Sequence, residues 1–144
     1  GNTLSLHDAL PIWHQLAVVQ NTPIVTYWLD QKIVRYVLTN LLSNAVKYSP
    51  ADSSVTFTLH YEAQFDFLRL MISDEGIGIP PKQQQSIFEP FFRAQNVTDI
   101  PGTGLGLHIV KSGVELLGGY VDVQSKPGQG TTFLISIPVQ SPDS

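Results

Sequence analysis

The segment Gln31 to Tyr48, QKIVRYVLTNLLSNAVKY, decides the fold. Val34, Val37, Leu38, Leu41, Leu42 and Ala45 share one broad arc, so the spacing predicts a long amphipathic helix lying on an apolar surface. Asp30 is placed to cap its start, and Pro50 stops it. At about 100° per residue, Asn40, Asn44 and Lys47 project within about 60° of one another and form a polar stripe. Such a stripe is what a solvated helix face carries. It is also a set of groups suited to a hard cation and a phosphate, because an amide oxygen ligates magnesium well and lysine supplies a point charge.

Upstream of this helix, Gln15–Gln20 reads as a strand, Asn21-Thr22-Pro23 as a turn and Ile24–Trp28 as a second short strand. Downstream, Val55–Tyr61 and Phe67–Ser73 alternate as the two arms of a hairpin whose polar turn is Glu62–Asp66. Gly76, Gly78, Pro80 and Pro81 mark a loop, after which Lys82–Phe88 is expected to form a short helix and residues 89–103 to be irregular. Leu105, Ile109, Gly113, Leu116 and Leu117 recur at helical spacing, which predicts a helix over Gly104–Leu117 ended by Gly118-Gly119 and slightly weakened by Gly113. Tyr120–Ser125 and Thr131–Val139 read as a last hairpin around Pro127-Gly128-Gln129-Gly130, followed by a frayed tail over 140–144.

Two loops sit where chemistry is usually placed. Ser73-Asp74-Glu75-Gly76-Ile77-Gly78-Ile79-Pro80 puts an acid at the end of a strand and glycines directly after it. A carboxylate there can accept from an exocyclic amine while glycines let a flat base approach the main chain, although an ordinary Asp-x-Gly turn has the same sequence. Gly102-Thr103-Gly104-Leu105-Gly106-Leu107 runs into the next helix, so its N–H groups and the helix start suit a phosphate. It fits neither the dinucleotide fingerprint nor the P-loop, both of which are absent from the chain.

Composition narrows the class. At 144 residues the chain is expected to be one domain, and 42% hydrophobic with 10% aromatic residues excludes intrinsic disorder even though only 14% are charged. A net charge of −4 leaves no basic patch for a phosphate backbone, so no nucleic-acid partner is expected. The absence of cysteine excludes disulfides, thiolate zinc sites and cysteine nucleophiles. No apolar run approaches the roughly 20 residues that cross a bilayer, so no membrane contact is expected. The chain starts at Gly1 with its only methionine at Met71, which reads as a fragment. Thr3–Ile12, TLSLHDALPI, resembles one reading frame of a common sequencing adapter, so residues 1–12 are read as non-native and the domain as 13–139.

Taken together, Asn40–Tyr48, Asp74-Glu75-Gly76-Ile77-Gly78, Phe88-Glu89-Pro90-Phe91-Phe92-Arg93 and Gly102–Leu107 resemble, in order, the N, G1, F and G2 boxes of the ATP-binding catalytic domain of sensor histidine kinases. Gly128-Gln129-Gly130-Thr131-Thr132-Phe133 also fits that pattern. The resemblance implies an α/β fold, a two-layer α+β sandwich in which a mixed sheet packs on three helices and a mobile lid covers ATP. It implies ATP and Mg²⁺ as ligands, with Asn44 as the metal ligand, Lys47 as a phosphate contact and Tyr48 as a wall of the adenine pocket. By the same resemblance Asp74 binds the adenine amine, Gly76 and Gly78 give the base room, and Thr131 supports Asp74. Gly102, Gly104 and Gly106 frame the triphosphate, Phe88 anchors the start of the lid and Arg93 reaches the phosphates. Ile79, Thr103, Leu105 and Leu107 complete the implied nucleotide-binding set.

Asn40 stands where the hydrolysing relatives carry a glutamate that activates water, and a carboxamide cannot act as a base. With Asn40, Asn44 and Lys47 as the catalytic set, the resemblance implies transfer of the γ-phosphoryl to a histidine on a separate dimerisation/acceptor domain, for relay to the receiver domain of a response regulator, in the cytoplasm. His7 lies in His7-Asp8-Ala9-Leu10-Pro11, one residue short of the acceptor motif H-[ED]-x-x-x-P, and His14, His60 and His108 lack the acceptor context, so the acceptor is expected elsewhere. Two rivals share the fold. One is the serine kinase that acts on anti-anti-sigma proteins, against which Phe88–Arg93 argues. The other is a degenerate nucleotide-sensing or docking module, whose mark would be a missing Asn44, Lys47 or G2 glycine.

Overall fold

The computed structural model describes residues 15–20, 30–92 and 106–139. Five strands, β1 (Gln15–Gln20), β2 (Ser54–Glu62), β3 (Phe67–Asp74), β4 (Tyr120–Ser125) and β5 (Thr131–Pro138), form one sheet in the order β1-β2-β3-β5-β4. The sheet is mixed: β1 runs parallel to β2, and every other neighbouring pair is antiparallel. Two helices, α1 (Gln31–Lys47) and α2 (Gly106–Leu116), pack on one face of it.

The strand alternation read from the sequence selects that face. Val55 and Phe57 on β2, Leu68, Leu70 and Ile72 on β3, and Phe133, Ile135 and Ile137 on β5 are buried against Val37, Leu38, Leu41, Leu42 and Ala45 of α1. Leu41 and Leu42 are fully covered, and truncating either to alanine would cost about 2–5 kcal/mol. Asp30 caps α1 as expected, its Oδ1 accepting from the N–H groups of Lys32 and Ile33, both at 3.1 Å.

Gly113 has a purpose that helical spacing alone did not show. A Cβ there would lie 3.0 Å from Val37 Cγ2 and 3.3 Å from Ile33 Cγ2, so the missing side chain lets α2 cross α1 closely. The end of α2 is a Schellman motif: Gly119 N–H donates to Val114 O at 2.9 Å, Gly118 N–H donates to Glu115 O at 3.0 Å, and Gly118 has φ +79°. The reversal feeds β4 back into the sheet.

One expectation changes. Lys82–Phe88 is not an α-helix: a single 3₁₀ turn at Pro81–Gln83 leads into further turns. Their hydrogen bonds run to the third residue back, as in Gln83 N to Pro80 O at 2.9 Å, Ser86 N to Gln83 O at 3.0 Å and Glu89 N to Ser86 O at 3.0 Å. Seven residues nucleate a helix poorly, and tertiary contacts of Gln84 and Ile87 dictate the path instead. Among the described residues the sheet is backed by two α-helices and a 3₁₀ turn, and it is mixed, as expected. Residues 1–14, the strand expected at Ile24–Trp28, the lid and the 140–144 tail lie outside the described residues.

Candidate functional site

Strand register builds one end of the site. β3 and β5 pair with Asp74 opposite Thr131, which places the last carboxylate of β3 against the first N–H of β5. Asp74 Oδ1 accepts from Gly76 N–H at 2.8 Å and from Thr131 N–H at 3.2 Å. Both donors converge on one oxygen, and Oδ2 has no protein donor among the described residues. Burial pushes the carboxyl above its usual range, and the two backbone N–H groups offset that in part by favouring the charged form.

The loop after Asp74 is held by backbone contacts on both sides. Ile77 N–H donates to Tyr48 O, beyond the end of α1, at 3.2 Å, and Gly128 N–H donates to Ile77 O at 2.7 Å. A Cβ on Gly76 would fall 2.5 Å from Tyr48 O, and one on Gly78, whose φ is +76°, would fall 2.1 Å from Lys126 O. These glycines thus let three chain segments close on one another, a requirement separate from any room they give a base.

Ser125 and Gln84, which the sequence reading did not single out, tie this loop to the last hairpin. Ser125 Oγ accepts from Ile79 N–H at 2.8 Å, donates to Gly130 O at 2.9 Å and lies 2.8 Å from Thr131 Oγ1. Gln84 Nε2 donates to Ile79 O at 3.0 Å and to Ser125 O at 2.8 Å. A serine at a strand end and a glutamine among three carry no periodic signal, so only the three-dimensional path reveals them.

Helix packing builds the other end. The first residue of α2, Gly106, faces the polar stripe of α1: a Cβ on it would lie 3.3 Å from Asn40 Oδ1 and 3.9 Å from Asn44 Oδ1. Asn40 is oriented by its own helix, its Nδ2 donating to Tyr36 O at 2.8 Å, which leaves Oδ1 toward α2. Two carboxamide oxygens therefore point at the start of a helix, where N–H groups favour anions. Lys47, exposed one turn further on, holds its Nζ 5.6 Å from the centroid of the Tyr48 ring. Hard oxygen donors beside a helix start are a donor set that fits magnesium together with phosphate.

Other expected site residues have packing roles. Ile79, Phe88 and Leu107 lie against the core, and Phe88 meets Phe133 edge to face at 6.2 Å. His108 Nδ1 lies 3.3 Å from Phe88 O, joining α2 to that segment, while His60 lies 3.3 Å from Glu62 on the sheet. Arg93, Gly102, Thr103, Gly104 and Leu105 fall outside the described residues, as does His14.

A half-buried acid ends one strand and a helix start faces two carboxamides, and the comparisons give the chain that carries them its family. The chain belongs to the histidine kinase-, DNA gyrase B- and HSP90-like ATPase family, whose profile matches residues 29–141. Within that family its relatives are sensor kinases. It is 39% identical over 145 residues to the autoinducer 2 sensor kinase/phosphatase LuxQ of Vibrio vulnificus (strain YJ016), across 97% of this chain and 16% of that protein. It is 39% identical to the sensor histidine kinase WalK of Bacillus subtilis (strain 168), across 76% of this chain and 18% of that protein. The chain thus spans less than a fifth of the length of these relatives. Its fold is that of the mycobacterial sensor histidine kinase MprB, with TM-score 0.78 at 30% identity over 89% of this chain and 85% of that one. Full-length ShkA in complex with AMPPNP gives TM-score 0.78 at 30% identity over 94% of this chain and 27% of that one. Among the described residues no helix is long and apolar enough to cross a membrane.

Proposed function

We propose that this chain binds Mg-ATP and passes the γ-phosphoryl to a histidine on a separate acceptor domain of the same kinase, for relay to an aspartate of a response regulator on the cytoplasmic side. The observation that carries the reading is Asp74. With Oδ1 taken by two backbone N–H groups, Oδ2 is a positioned acceptor for the exocyclic amine of adenine, a charge-assisted hydrogen bond. Tyr48, whose carbonyl anchors the adjoining loop, walls the base. The AMPPNP in the ShkA complex, an ATP analogue on a structurally similar chain, supports the same ligand.

Asn44 would hold the metal through its amide oxygen, Lys47 would meet a phosphate oxygen, and the start of α2 would face the phosphates. Magnesium, when bound there, neutralises charge on the transferring group. Asn40 has its Nδ2 committed to Tyr36 O and offers no base to water, so the site favours transfer over hydrolysis. Lacking a positioned base lowers hydrolysis by about 10²–10⁴ in rate. The test is radiolabelled ATP with the chain alone and with a two-helix acceptor domain added. Acid-labile phosphohistidine should form on the added domain only. Brisk phosphate release by the chain alone, or labelling of its own His60 or His108, would contradict the reading.

A further inference from the structure

The strand order puts β4 at one side of the sheet: it pairs with β5, and no described strand lies on its other side. Lys126 N–H donates to Gly130 O just past the last β4–β5 pair. By the alternation of an antiparallel ladder, the even-numbered residues of β4 therefore face β5, and Val121, Val123 and Ser125 turn their N–H and C=O groups outward. Such a row is a template for another strand. Parts of it are already engaged from within the chain. Val123 N–H donates to Asp122 Oδ1 at 2.8 Å, a bond to the side chain of its own neighbour. Ser125 O accepts from Gln84 Nε2 at 2.8 Å, and Ser125 Oγ accepts from Ile79 N–H at 2.8 Å, so the chain near Ile79 and Gln84 crosses that end of the edge.

These bonds select what could be added. With Ser125 covered, the outward groups left for pairing are those of Val121 and Val123. A second copy of β4, antiparallel about a two-fold axis, matches them reciprocally: Val121 of each copy meets Val123 of the other, and each N–H reaches the opposite C=O. That register sets the Asp122 side chains of the two copies directly opposite one another on one face, where like charges oppose pairing. Exposed Tyr120 and Gln124 come opposite each other and bring no compensating charge. Asp122 thus acts twice, occupying the Val123 donor and repelling its own equivalent, and the repulsion is specific to a copy of the same strand. We propose that the β4 edge is a self-pairing surface that Asp122 holds shut, keeping the folded chain monomeric.

The experiment is analytical ultracentrifugation of the whole chain, with amide exchange followed residue by residue. Wild type should sediment as a monomer up to about 1 mM. Asp122→Asn keeps an oxygen for Val123 N–H and loses the charge, so it should associate weakly. Asp122→Ala loses both and should dimerise with a Kd about 100-fold below that of wild type, because one hydrogen bond is worth about tenfold and the two-fold axis uses the freed donor twice. The substituted side chain is exposed, so the fold should be kept. As concentration rises, the Val121 and Val123 amides of Asp122→Ala should exchange more slowly. A monomeric Asp122→Ala at the same concentration, or one that associates no more tightly than Asp122→Asn, would overturn the proposal. So would a dimer that leaves those two amides unprotected, or a wild type that already pairs through them.

Discussion

Around Asp74 the backbone does the positioning, whereas around Asn44 the work falls to side chains on two helices. Gly76 N–H and Thr131 N–H hold one carboxylate oxygen, and the strand register of β3 on β5 sets where those donors lie. At the other end, what Asn40 and Asn44 meet depends on how closely α2 approaches α1, a spacing fixed by packing at Gly113. Backbone positioning is shared with the fold, so changes near Asp74 should show in stability as well as in binding. Side-chain positioning is separable, so changes near Asn44 should show in chemistry first.

The largest expected effect falls on that second end. Asn44→Ala removes a half-buried carboxamide that hydrogen-bonds to none of the described residues, so thermal stability should move by less than about 1 kcal/mol. Phosphotransfer to an added acceptor domain should fall by about 10³, since a catalytic metal contributes several kcal/mol. Transfer surviving within tenfold would mean that the metal is held elsewhere. Gly130→Ala should behave the opposite way. With φ at +90° and a Cβ placed 2.1 Å from Asp74 O, it should cost about 2–4 kcal/mol in a denaturant melt through strain and overpacking. A neutral result would show that the hairpin can shift without disturbing Asp74.

Asp74→Asn separates the two currencies at a single position. Losing a charged acceptor should weaken ATP binding by about 10–100-fold. Stability should go up, for a reason of sign. Burial raises the folded-state pKa of Asp74, so between its ordinary value and that raised value the folded chain keeps a proton the unfolded chain has released. Stability therefore falls as pH rises through that window, and above it the cost of burying the charge is fully present. The asparagine variant lacks that cost and should melt higher at neutral pH. ATP binding by wild type should weaken as pH falls through the same window, as the acceptor becomes protonated, relative to a matched titration of the variant. A wild-type profile parallel to the variant's would remove Asp74 from base recognition.

How much of this the sequence disclosed follows the same division. Local periodicity announced α1, its Asp30 cap and both hairpins, because alternation and helical spacing are properties of neighbours in the chain. Motif order pointed to Asn44, Asp74 and Thr131, of which the structure joins Asp74 to Thr131 and sets Asn44 near the start of α2. Lys82–Phe88 misled because its residues tolerate a helix, while the Gln84 carboxamide is required at Ile79 and Ser125. Ser125 itself was invisible for the same reason: its role exists only once residues 79, 125, 130 and 131 are brought together. Gly113 read as a weakness in a helix, and only the facing Val37 shows why a side chain is excluded.

The smallest effect should come from Gly113→Ala, and it bears most directly on whether helix spacing sets the phosphate end. Alanine is better than glycine inside a helix by about 0.8–1.0 kcal/mol, which alone predicts a higher melting temperature. Against that, the new Cβ would lie 3.0 Å from Val37 Cγ2, on a buried β-branched residue whose rotamer is nearly fixed in a helix. Val37 cannot turn away, so the two helices must part by a few tenths of an ångström. The packing lost should cancel the propensity gained and leave stability within about 0.5 kcal/mol of wild type. The displacement should be felt at Gly106, where α2 meets Asn40 and Asn44, as a several-fold weaker affinity for Mg-ATP. Calorimetry and a thermal melt on the same preparation read both. A chain stabilised by the full propensity gain, with unchanged affinity, would show that the α1–α2 distance does not govern the phosphate end.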